Sequence, residues 1–346
     1  MSGFDPAALA WLAVMACIAG AGAWLARWHA LRRGLLDQPG ERRSHRVPTP
    51  RGGGIGIVIA WALACAALGL HGVLPAALAV AAVAGVLLVG GVGYADDHRP
   101  LSPWLRLAVH VLAGAGLSAA VLAAGGASWL ALLALGLVPV LVNVWNFMDG
   151  IDGLAASQAA LVAVGLALLA GEGVVVPAAL ALAAACAGFL PFNFPRARIF
   201  LGDVGSGALG LALAVLVVLL ASGAAAADRP GLLLLAALPL SAFLLDATLT
   251  LCRRILRRER WWTAHVEHAY QRLAARTGSH VPVTMGYAAW TVVAAVTAVV
   301  LLDSGLKSRT GIVGSFVLAG LLVWRLARNA GSCRKSVGSP SDDQPE

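Results

Sequence analysis

The chain has 346 residues, of which 60% are hydrophobic and only 12% are charged, and its mean hydropathy is +0.83. This composition excludes an ordinary soluble enzyme, in which about a quarter of the residues are charged, and a disordered chain, which is poor in apolar residues. The remaining class is a polytopic membrane protein, because a helix of about 20 apolar residues spans a bilayer. The net charge of +8 fits either nucleic acid binding or membrane topology.

Breaks in the apolar runs predict an all-α fold with about eleven membrane-spanning helices. Charged segments separate some runs, and short segments rich in glycine or containing proline divide others. The predicted spans are 6–26, two within 52–95 that divide at 71–75, two within 107–148 that divide at 125–128, two that divide at 171–173, and then 205–223, 231–252, 283–302 and 311–327. We expect residues 1–330 to form one transmembrane domain and residues 331–346 to form a disordered cytoplasmic tail.

The basic residues give this arrangement a direction. With eleven spans, 22 of the 25 lysines and arginines fall on one side of the membrane. Because lysine and arginine concentrate in cytoplasmic loops, the N-terminus is predicted outside and the C-terminus in the cytoplasm. Topology therefore accounts for the positive charge, and no nucleic acid partner is expected. The long polar loops all lie on the predicted cytoplasmic side, at about 30–52, 95–104, 146–153, 191–204 and 253–282.

Acidic residues gather at the predicted cytoplasmic ends of the helices, where ionisable groups beside hydrocarbon indicate function. Asp96 and Asp97 directly follow the third span. Two adjacent carboxylates raise the pKa of one of them or share a cation. Asp149 and Asp152 lie three residues apart after the fifth span, with Asn146 before them. On a helix these two carboxylates would share a face.

Asp203 stands at the predicted start of the eighth span, between glycine residues. A helix N-terminus with glycine-rich backbone suits a phosphate or a hydrated Mg²⁺, which binds through one or two carboxylates together with phosphate and water oxygens. Neither a P-loop nor a dinucleotide-binding glycine pattern is present in the sequence. The arginine-rich segments 42–51 and 253–260 either neutralise phosphates or rest on anionic lipid.

Three further candidates lie near the last long loop. His265 and His268 form a His-x-x-His pair without a suitable third zinc ligand nearby in sequence, so hydrogen bonding to a diphosphate or sugar is the favoured interpretation. Asp246 lies within the ninth span, about two helical turns before Arg253. There it either borders a lipid or proton path or hydrogen bonds a neighbouring helix. Isolated histidines such as His280 are interpreted as interfacial or packing residues.

Five motifs along residues 35–275 resemble those of the polyprenyl-phosphate N-acetylhexosamine-1-phosphate transferases of glycosyltransferase family 4. The resemblance is to the branch that initiates O-antigen and teichoic-acid linkage synthesis, and the motifs follow the family's order. They are Asp37-x-Pro39 continuing through Arg51 to Gly54, Asp96-Asp97 with Leu101-Ser102-Pro103, Asn146-Phe-Met-Asp149-Gly-Ile-Asp152-Gly, Asn193-Phe-Pro followed by Gly202-Asp203-x-Gly-Ser206, and Ala264-His265-x-x-His268-x-Tyr270-Gln271.

The resemblance implies transfer of N-acetylhexosamine-1-phosphate from a UDP-sugar, with N-acetylglucosamine as the expected sugar, to undecaprenyl phosphate with release of UMP. It implies a multi-pass protein of the bacterial inner membrane with its active site on the cytoplasmic face. The implied cofactor is Mg²⁺, for which Mn²⁺ could substitute. The implied partners are the two substrates and membrane lipid, and a homodimer is a further expectation.

The resemblance also assigns roles to the candidate residues. The catalytic residues are Asp96, Asp97 and Asp203, of which Asp96 or Asp97 receives the proton of the lipid phosphate or helps to bind it. The implied metal ligands are Asp203 and Asp149. The implied substrate-binding residues are Asp149, Asp152, Asn146 and Asn193 around the uridine nucleotide, His265 and His268 at the diphosphate and sugar, Arg46 and Arg51 at phosphates, and Asp246.

Two alternatives stay open at this stage. The same reaction could use UDP-N-acetylfucosamine, UDP-N-acetylquinovosamine or a MurNAc-pentapeptide donor, although the branch that uses the last carries a denser histidine motif. A different class is a cation-coupled or proton-coupled transporter. Transporter carboxylates concentrate near the bilayer midplane, whereas only Asp246 lies deep in a predicted span here.

Overall fold

The computed structural model describes residues 6–37, 47–225, 228–260, 262–263 and 265–329, and this part of the chain is almost entirely helical. Arg46 and the predicted tail at 331–346 lie outside the described residues. The elements are α1 (Pro6–Arg33), β1 (Leu36–Asp37), β2 (Thr49–Pro50), α2 (Ile55–Leu70), α3 (Ala76–His98), α4 (Pro103–Ala123), α5 (Ser128–Phe147), α6 (Leu154–Ala170), α7 (Val175–Asn193), α8 (Gly202–Gly223), α9 (Arg229–Leu256), α10 (Ala269–Thr277), α11 (Val281–Val300) and α12 (Leu306–Asn329).

The predicted spans each coincide with one long helix, and the three predicted hinges fall between α2 and α3, α4 and α5, and α6 and α7. The short helix α10 was not predicted. It lies inside the segment read as the last long loop, and its nine residues are too few and too polar to resemble a span. His268 is its N-cap residue, and the His268 N–H donates to the Gln271 side chain over 3.2 Å.

Nine of the described helices are long and apolar enough to cross a membrane. The other two that coincide with predicted spans, α2 and α6, have 16 and 17 residues. At 1.5 Å per residue they reach about 24 to 26 Å, less than the hydrocarbon thickness of about 30 Å. The all-α, polytopic membrane fold is confirmed, whereas the number of spans and their orientation stay predictions.

Helix α8 forms the centre of the bundle. All of its apolar stretch is buried, and α3, α5 and α6 pack around it. Small residues allow this close packing: a Cβ added at Gly210 would lie 2.4 Å from the Leu141 carbonyl oxygen. A helix held on all sides presents its first turn, which contains Asp203, in a defined position.

The loops predicted on one side of the membrane do meet at one end of the bundle. The Gly53 N–H donates to the Phe200 carbonyl over 2.9 Å, which joins the first loop to the segment before α8. The Tyr270 hydroxyl donates to the Phe147 carbonyl over 3.0 Å, which joins α10 to the end of α5. The candidate residues on these loops are therefore neighbours in space.

The orientation of the bundle can be tested directly. A reporter fused after Glu346 is expected in the cytoplasm, because eleven spans place the C-terminus on the side where lysine and arginine concentrate. The measurement is protease accessibility of the reporter in intact spheroplasts and in lysed ones. A matched reporter inserted after Gly126, in the turn between α4 and α5, is expected outside. Cleavage of the C-terminal reporter in intact spheroplasts would contradict the predicted topology.

Candidate active site

The first loop places Arg51 at the site. The strands β1 and β2 pair antiparallel, and the Phe200 N–H donates to the Pro50 carbonyl over 2.8 Å, which fixes the strand against the segment before α8. The Arg51 guanidinium then lies 2.9 Å from an Asp37 oxygen and 3.5 Å from an Asp97 oxygen. The predicted phosphate contact Arg51 is thus present at the site and remains partly exposed.

Asp97 is bound to the N-terminus of α8. Its carboxylate accepts hydrogen bonds from the Asp203 N–H at 3.1 Å and the Val204 N–H at 3.3 Å, and its side chain is only 3% exposed. A carboxylate in this position satisfies free helix donors and complements the helix dipole. Gly202 permits the approach, since it has φ +76° and a Cβ there would lie 2.5 Å from Asp97. Asp97 therefore positions Asp203.

Arg106 joins two of the carboxylates, Asp96 and Asp203, and none of the sequence motifs includes it. Its Nη1 lies 2.7 Å from an Asp96 oxygen and 3.1 Å from an Asp203 oxygen. Asp96 also accepts a hydrogen bond from the Leu101 N–H over 2.6 Å. The sequence feature that could have indicated this role is the position of Arg106, at the start of the fourth apolar run and in the segment that follows the Asp96-Asp97 pair. An arginine between two carboxylates attracts both and holds them close together.

Asp149 lies in a non-helical segment between α5 and α6, so the expected shared helical face with Asp152 is wrong. Helix α5 ends at Phe147 because the glycines at 150 and 153 favour a turn there. Burial, with the nearby Asp203 carboxylate, raises the pKa of Asp149 to about 8. Asn146, on the last turn of α5, donates from Nδ2 to the Ser206 hydroxyl on α8 over 3.2 Å. The Asp203 carboxylate is therefore close enough to oppose ionisation of Asp149.

Asp152 contacts the start of α11. Its Oδ2 lies 3.2 Å from the His280 Nδ1, and the Thr284 hydroxyl donates to the Asp152 carbonyl over 2.9 Å. The interpretation of His280 as an isolated packing residue is therefore wrong. The two residues are 128 positions apart in sequence, so only the packing of α11 against the 148–153 segment shows the pair.

Asn193 is used inside the protein. It is 5% exposed, its Oδ1 accepts from the Gly153 N–H at 2.8 Å, and its Nδ2 donates to the Ile199 carbonyl at 3.0 Å. Gly153 has φ +73°, a conformation that favours glycine. Since both ends of the amide are engaged, Asn193 holds two site loops together, and its expected contact with a nucleotide stays a prediction.

Replacement of Asn193 by alanine is expected to lower stability by about 2 to 4 kcal/mol, because it leaves one buried N–H and one buried carbonyl unpaired. The measurement is the thermal unfolding midpoint of the purified protein in detergent. Asn193→Asp is the matched comparison, since it keeps the acceptor for Gly153 and loses only the donor to Ile199. Equal midpoints for Asn193→Ala and the unmodified protein would contradict this bracing role.

The histidine loop is anchored by Asp246, which is 4% exposed. Its carboxylate accepts from the Ala269 N–H at 2.8 Å, the Tyr270 N–H at 3.1 Å and the Tyr287 hydroxyl at 2.7 Å. The His268 Nδ1 lies 3.6 Å away. Of the interpretations left open for Asp246, hydrogen bonding to a neighbouring element is the one these contacts support. Asp246 fixes the start of α10.

His265 and His268 lie side by side, with ring centroids 5.0 Å apart, and the His268 ring stacks on Phe147 at 6.1 Å. Burial, together with the nearby His268 and Arg254, lowers the pKa of His265 to about 4, so its imidazole is uncharged at neutral pH. Within the described part of the chain, the Nδ1 atoms of both histidines are buried without a hydrogen-bond partner. These atoms can form hydrogen bonds with a ligand.

The carboxylate cluster suits a hard cation in its chemistry. Across the described ranges, no three His, Cys, Asp or Glu side chains are close enough to form a complete metal cage. Mg²⁺ does not require one, because it commonly binds through one or two carboxylates plus phosphate and water oxygens. The Asp203 side chain is 27% exposed, and its carboxylate is close enough to Asp149 to affect the pKa of that residue. These two residues can therefore offer oxygen ligands to one cation.

The part of the chain that carries the four site carboxylates is similar to known proteins. The family model described as "Glycosyl transferase family 4" matches residues 78–221. The chain is 36% identical over 219 residues to a decaprenyl-phosphate N-acetylglucosaminephosphotransferase of Mycobacterium tuberculosis, covering 54% of each chain. It is 28% identical over 272 residues to a probable undecaprenyl-phosphate N-acetylglucosaminyl 1-phosphate transferase of Bacillus subtilis, covering 72% of this chain and 73% of the relative.

A third relative matches over a shorter region. The chain is 47% identical over 91 residues to a phospho-N-acetylmuramoyl-pentapeptide-transferase of Moorella thermoacetica, which covers 25% of this chain and 29% of the relative. The match to the mycobacterial protein spans about half the length of that relative. The family match includes Asp96, Asp97, Asp149 and Asp203, and it ends before α9 and the histidine loop.

Proposed function

We propose that the chain belongs to glycosyl transferase family 4, whose model matches residues 78–221, and that the protein transfers an N-acetylhexosamine-1-phosphate group to a polyprenyl phosphate. In the proposed reaction a UDP-N-acetylhexosamine, with N-acetylglucosamine as the first candidate, is the donor and undecaprenyl phosphate is the acceptor. The products are a lipid-linked diphosphosugar and UMP. This reaction is the initiating step of a cell-envelope glycan, and we place it at the cytoplasmic face of the inner membrane.

The observation that carries this proposal is the arrangement of four carboxylates and two arginines at one end of the bundle. Asp96 and Asp97 come from the end of α3, Asp203 from the start of α8 and Asp149 from a turn. Arg51 pairs with Asp97, and Arg106 pairs with Asp96 and Asp203. Phosphoryl transfer depends mainly on positioning and on neutralising phosphate charge. A site with both cation-binding oxygens and guanidinium groups supplies these two requirements.

We propose that Mg²⁺ is bound at this site by Asp203 and Asp149, and that Mn²⁺ could replace it. The cation, when bound, neutralises the phosphate oxygens of the donor and makes the bond between the two phosphates easier to break. Asp97 and Arg106 keep the Asp203 carboxylate in place from opposite sides, through the N-terminus of α8 and through an ion pair. The protein therefore offers a fixed oxygen ligand at little cost in ordering.

The remaining residues position the reacting phosphates. An oxygen of the acceptor phosphate attacks the sugar-bearing phosphorus of the donor, the bond between the donor phosphates breaks, and UMP leaves with the bonding electrons. Arg51 has one side open and can bind a phosphate oxygen. Asp96, partly buried and bound to Arg106, is better placed than Asp97 to accept a proton from the acceptor, because Asp97 is engaged by two N–H groups. The imidazoles of His265 and His268 can hydrogen bond the diphosphate or the sugar.

The transporter alternative is less well supported. A carboxylate on a transport path would face a water-filled cavity near the midplane. The deep carboxylate Asp246 is instead surrounded by its own hydrogen bonds to α10 and α11. The other site carboxylates lie at helix ends, where an enzyme of the membrane interface would place them.

The test is release of UMP by the purified protein in detergent, supplied with undecaprenyl phosphate, Mg²⁺ and a panel of UDP-N-acetylhexosamines. We expect UMP to form only when both lipid and one donor are present, and to stop when EDTA removes the cation. The panel includes the N-acetylglucosamine, N-acetylfucosamine, N-acetylquinovosamine and MurNAc-pentapeptide donors, so it also identifies the sugar. No lipid-dependent UMP with any donor, from protein shown to be folded, would contradict the proposal.

A further inference from the structure

Four arginines collect beside the histidine loop, away from the carboxylate cluster. Arg253 and Arg254 end α9, Arg272 lies on α10 and Arg328 ends α12. Three of them converge on Glu267: Arg253 at 2.6 Å, Arg328 at 3.5 Å, and Arg254 in a shorter contact. The Arg328 Nη1 also donates to the Glu267 carbonyl over 3.2 Å. We call these four arginines the basic cluster.

The basic cluster has more positive charge than its protein partners neutralise. Glu267 and Glu259 are the carboxylates that pair with it among the described residues, so four guanidinium groups face two acids. Arg272 makes no ion pair within the described part of the chain, and its Nε is buried without a hydrogen-bond partner. The Nε of Arg254, a residue only 7% exposed, is also buried without a hydrogen-bond partner. Buried unpaired donors are costly, so an added anion would be stabilised here.

An apolar cavity of about 400 Å³ adjoins the basic cluster, between α9, α10, α11 and α12. Its walls include Leu245, Leu273, Gly286, Val323 and Trp324. The Arg328 guanidinium lies 4.8 Å from the centre of the Trp324 ring, so the cluster and the cavity share this residue as a boundary. A volume of this size is typical of a ligand site, and a cavity of this composition suits a hydrocarbon chain.

We propose that an anionic membrane phospholipid binds at this place, with its phosphate on Arg272 and Arg254 and one acyl chain in the cavity. Both halves of the site are at the ends of membrane-spanning helices, at the level where head groups lie. Basic pockets between spans at the cytoplasmic side bind anionic head groups, and each arginine adds attraction. An anion would provide acceptors for the two unpaired Nε groups and offset the excess of arginines over carboxylates. An attached acyl chain would fill the adjoining apolar cavity.

The phospholipid would stabilise the histidine loop. The basic cluster holds Glu267, which lies between His265 and His268, and the cavity is bordered by Asp246 and Ala269, which fix the start of α10. Lipid bound to the basic cluster and the cavity would order the segment that carries His265 and His268. The catalytic carboxylates Asp96, Asp97 and Asp203 do not line the cavity, so the site is separate from the proposed reaction centre.

The test is a titration of the purified full-length protein with dioleoylphosphatidylglycerol, with bound lipid counted by native mass spectrometry. We expect Arg272→Gln to weaken binding about fivefold, which is the attraction expected of one arginine near the head groups. Arg276→Gln, the same change on an exposed residue one turn later on α10, is the matched control and is expected to bind like the unmodified protein.

A second pair of variants tests the chain-binding half. Gly286 lines the cavity and a Cβ there would meet nothing within 4 Å. Gly286→Leu therefore adds an apolar side chain to the cavity wall at a place with room for its Cβ. We expect it to weaken lipid binding at least about tenfold, given the several methylene groups that it displaces. Gly314→Leu is the control, because Gly314 is equally open but lies on a face of α12 away from the cavity.

Three results would overturn the proposal. The first is unchanged binding in both Arg272→Gln and Gly286→Leu. The second is equal binding of dioleoylphosphatidylcholine, which has no net negative charge. The third is displacement of the bound phosphatidylglycerol by equimolar undecaprenyl phosphate or by UDP-N-acetylglucosamine, which would assign the cluster to a substrate. Since lipid binding is measured without turnover, the outcome is independent of the transferase assay.

Discussion

Asp203→Asn is expected to lower the rate of UMP release at least about a hundredfold. The asparagine amide is isosteric, but it removes one negative oxygen ligand from the proposed cation site and the partner of Arg106. Loss of a single preorganised electrostatic contact to a reacting group typically costs about 10²- to 10³-fold in kcat. The Asp203 carboxylate is also the most exposed of the catalytic candidates, so this substitution changes the open side of the site and leaves its hidden contacts in place.

The measurement is the initial rate at several Mg²⁺ concentrations, with the thermal unfolding midpoint recorded beside it. We expect the variant to need more Mg²⁺ for its residual rate and to unfold near the temperature of the unmodified protein. Asp303→Asn is the control, since it makes the same chemical change on an exposed residue in the turn between α11 and α12. Full activity of Asp203→Asn would remove this residue from the metal role.

Asp97→Asn is expected to reduce turnover by about 10- to 100-fold, the range seen when a residue that orients a metal ligand is lost. An asparagine presents one acceptor and one NH₂ group where the carboxylate now accepts from Asp203 and Val204 and pairs with Arg51. One of the two N–H groups of α8 then loses its acceptor. Because charge-assisted hydrogen bonds contribute about 1.5 to 3 kcal/mol, we also expect a measurable fall in stability.

The Mg²⁺ requirement of the variants separates a positioning role of Asp97 from a direct chemical role. Asp37→Asn is the matched control, because it removes the other carboxylate partner of Arg51 without touching α8. If Asp97 acts by positioning Asp203, its loss should raise the Mg²⁺ concentration needed for activity, as Asp203→Asn does, and Asp37→Asn should not. A rate for Asp97→Asn equal to that of the unmodified protein would exclude the acidic pair from the mechanism.

The membrane-spanning helices could be predicted with boundaries within a few residues, because helix length and hydrophobicity in a bilayer are set by local composition. The candidate carboxylates could be found for the same reason: Asp96, Asp97, Asp149 and Asp203 are charges placed where apolar runs stop. Their meeting at one end of the bundle followed from the alternation of spans, which brings every second loop to the same side.

The partners of those carboxylates could not be predicted. Arg106 looked like one of many arginines that mark the cytoplasmic side, and nothing in its neighbours indicates that it reaches Asp203, 97 positions away. The pair of Asp152 with His280 depends on α11 packing beside a turn that it does not adjoin in sequence. Helix α10 was missed because its nine residues carry too little apolar surface to resemble a span, and it is held by Asp246 from another helix.

The division follows from the range of the forces involved. The sequence by itself determined that this protein crosses a membrane, where its helices begin and end, and which acidic residues stand at one face, since each of these depends on a stretch of adjacent residues in contact with lipid or water. Only the tertiary structure decided which carboxylate is free and which is bound, that Asn193 and Asp246 support the site from behind, and that four arginines adjoin an apolar cavity. Those features depend on hydrogen bonds and contacts between distant segments, which form only when the bundle is packed.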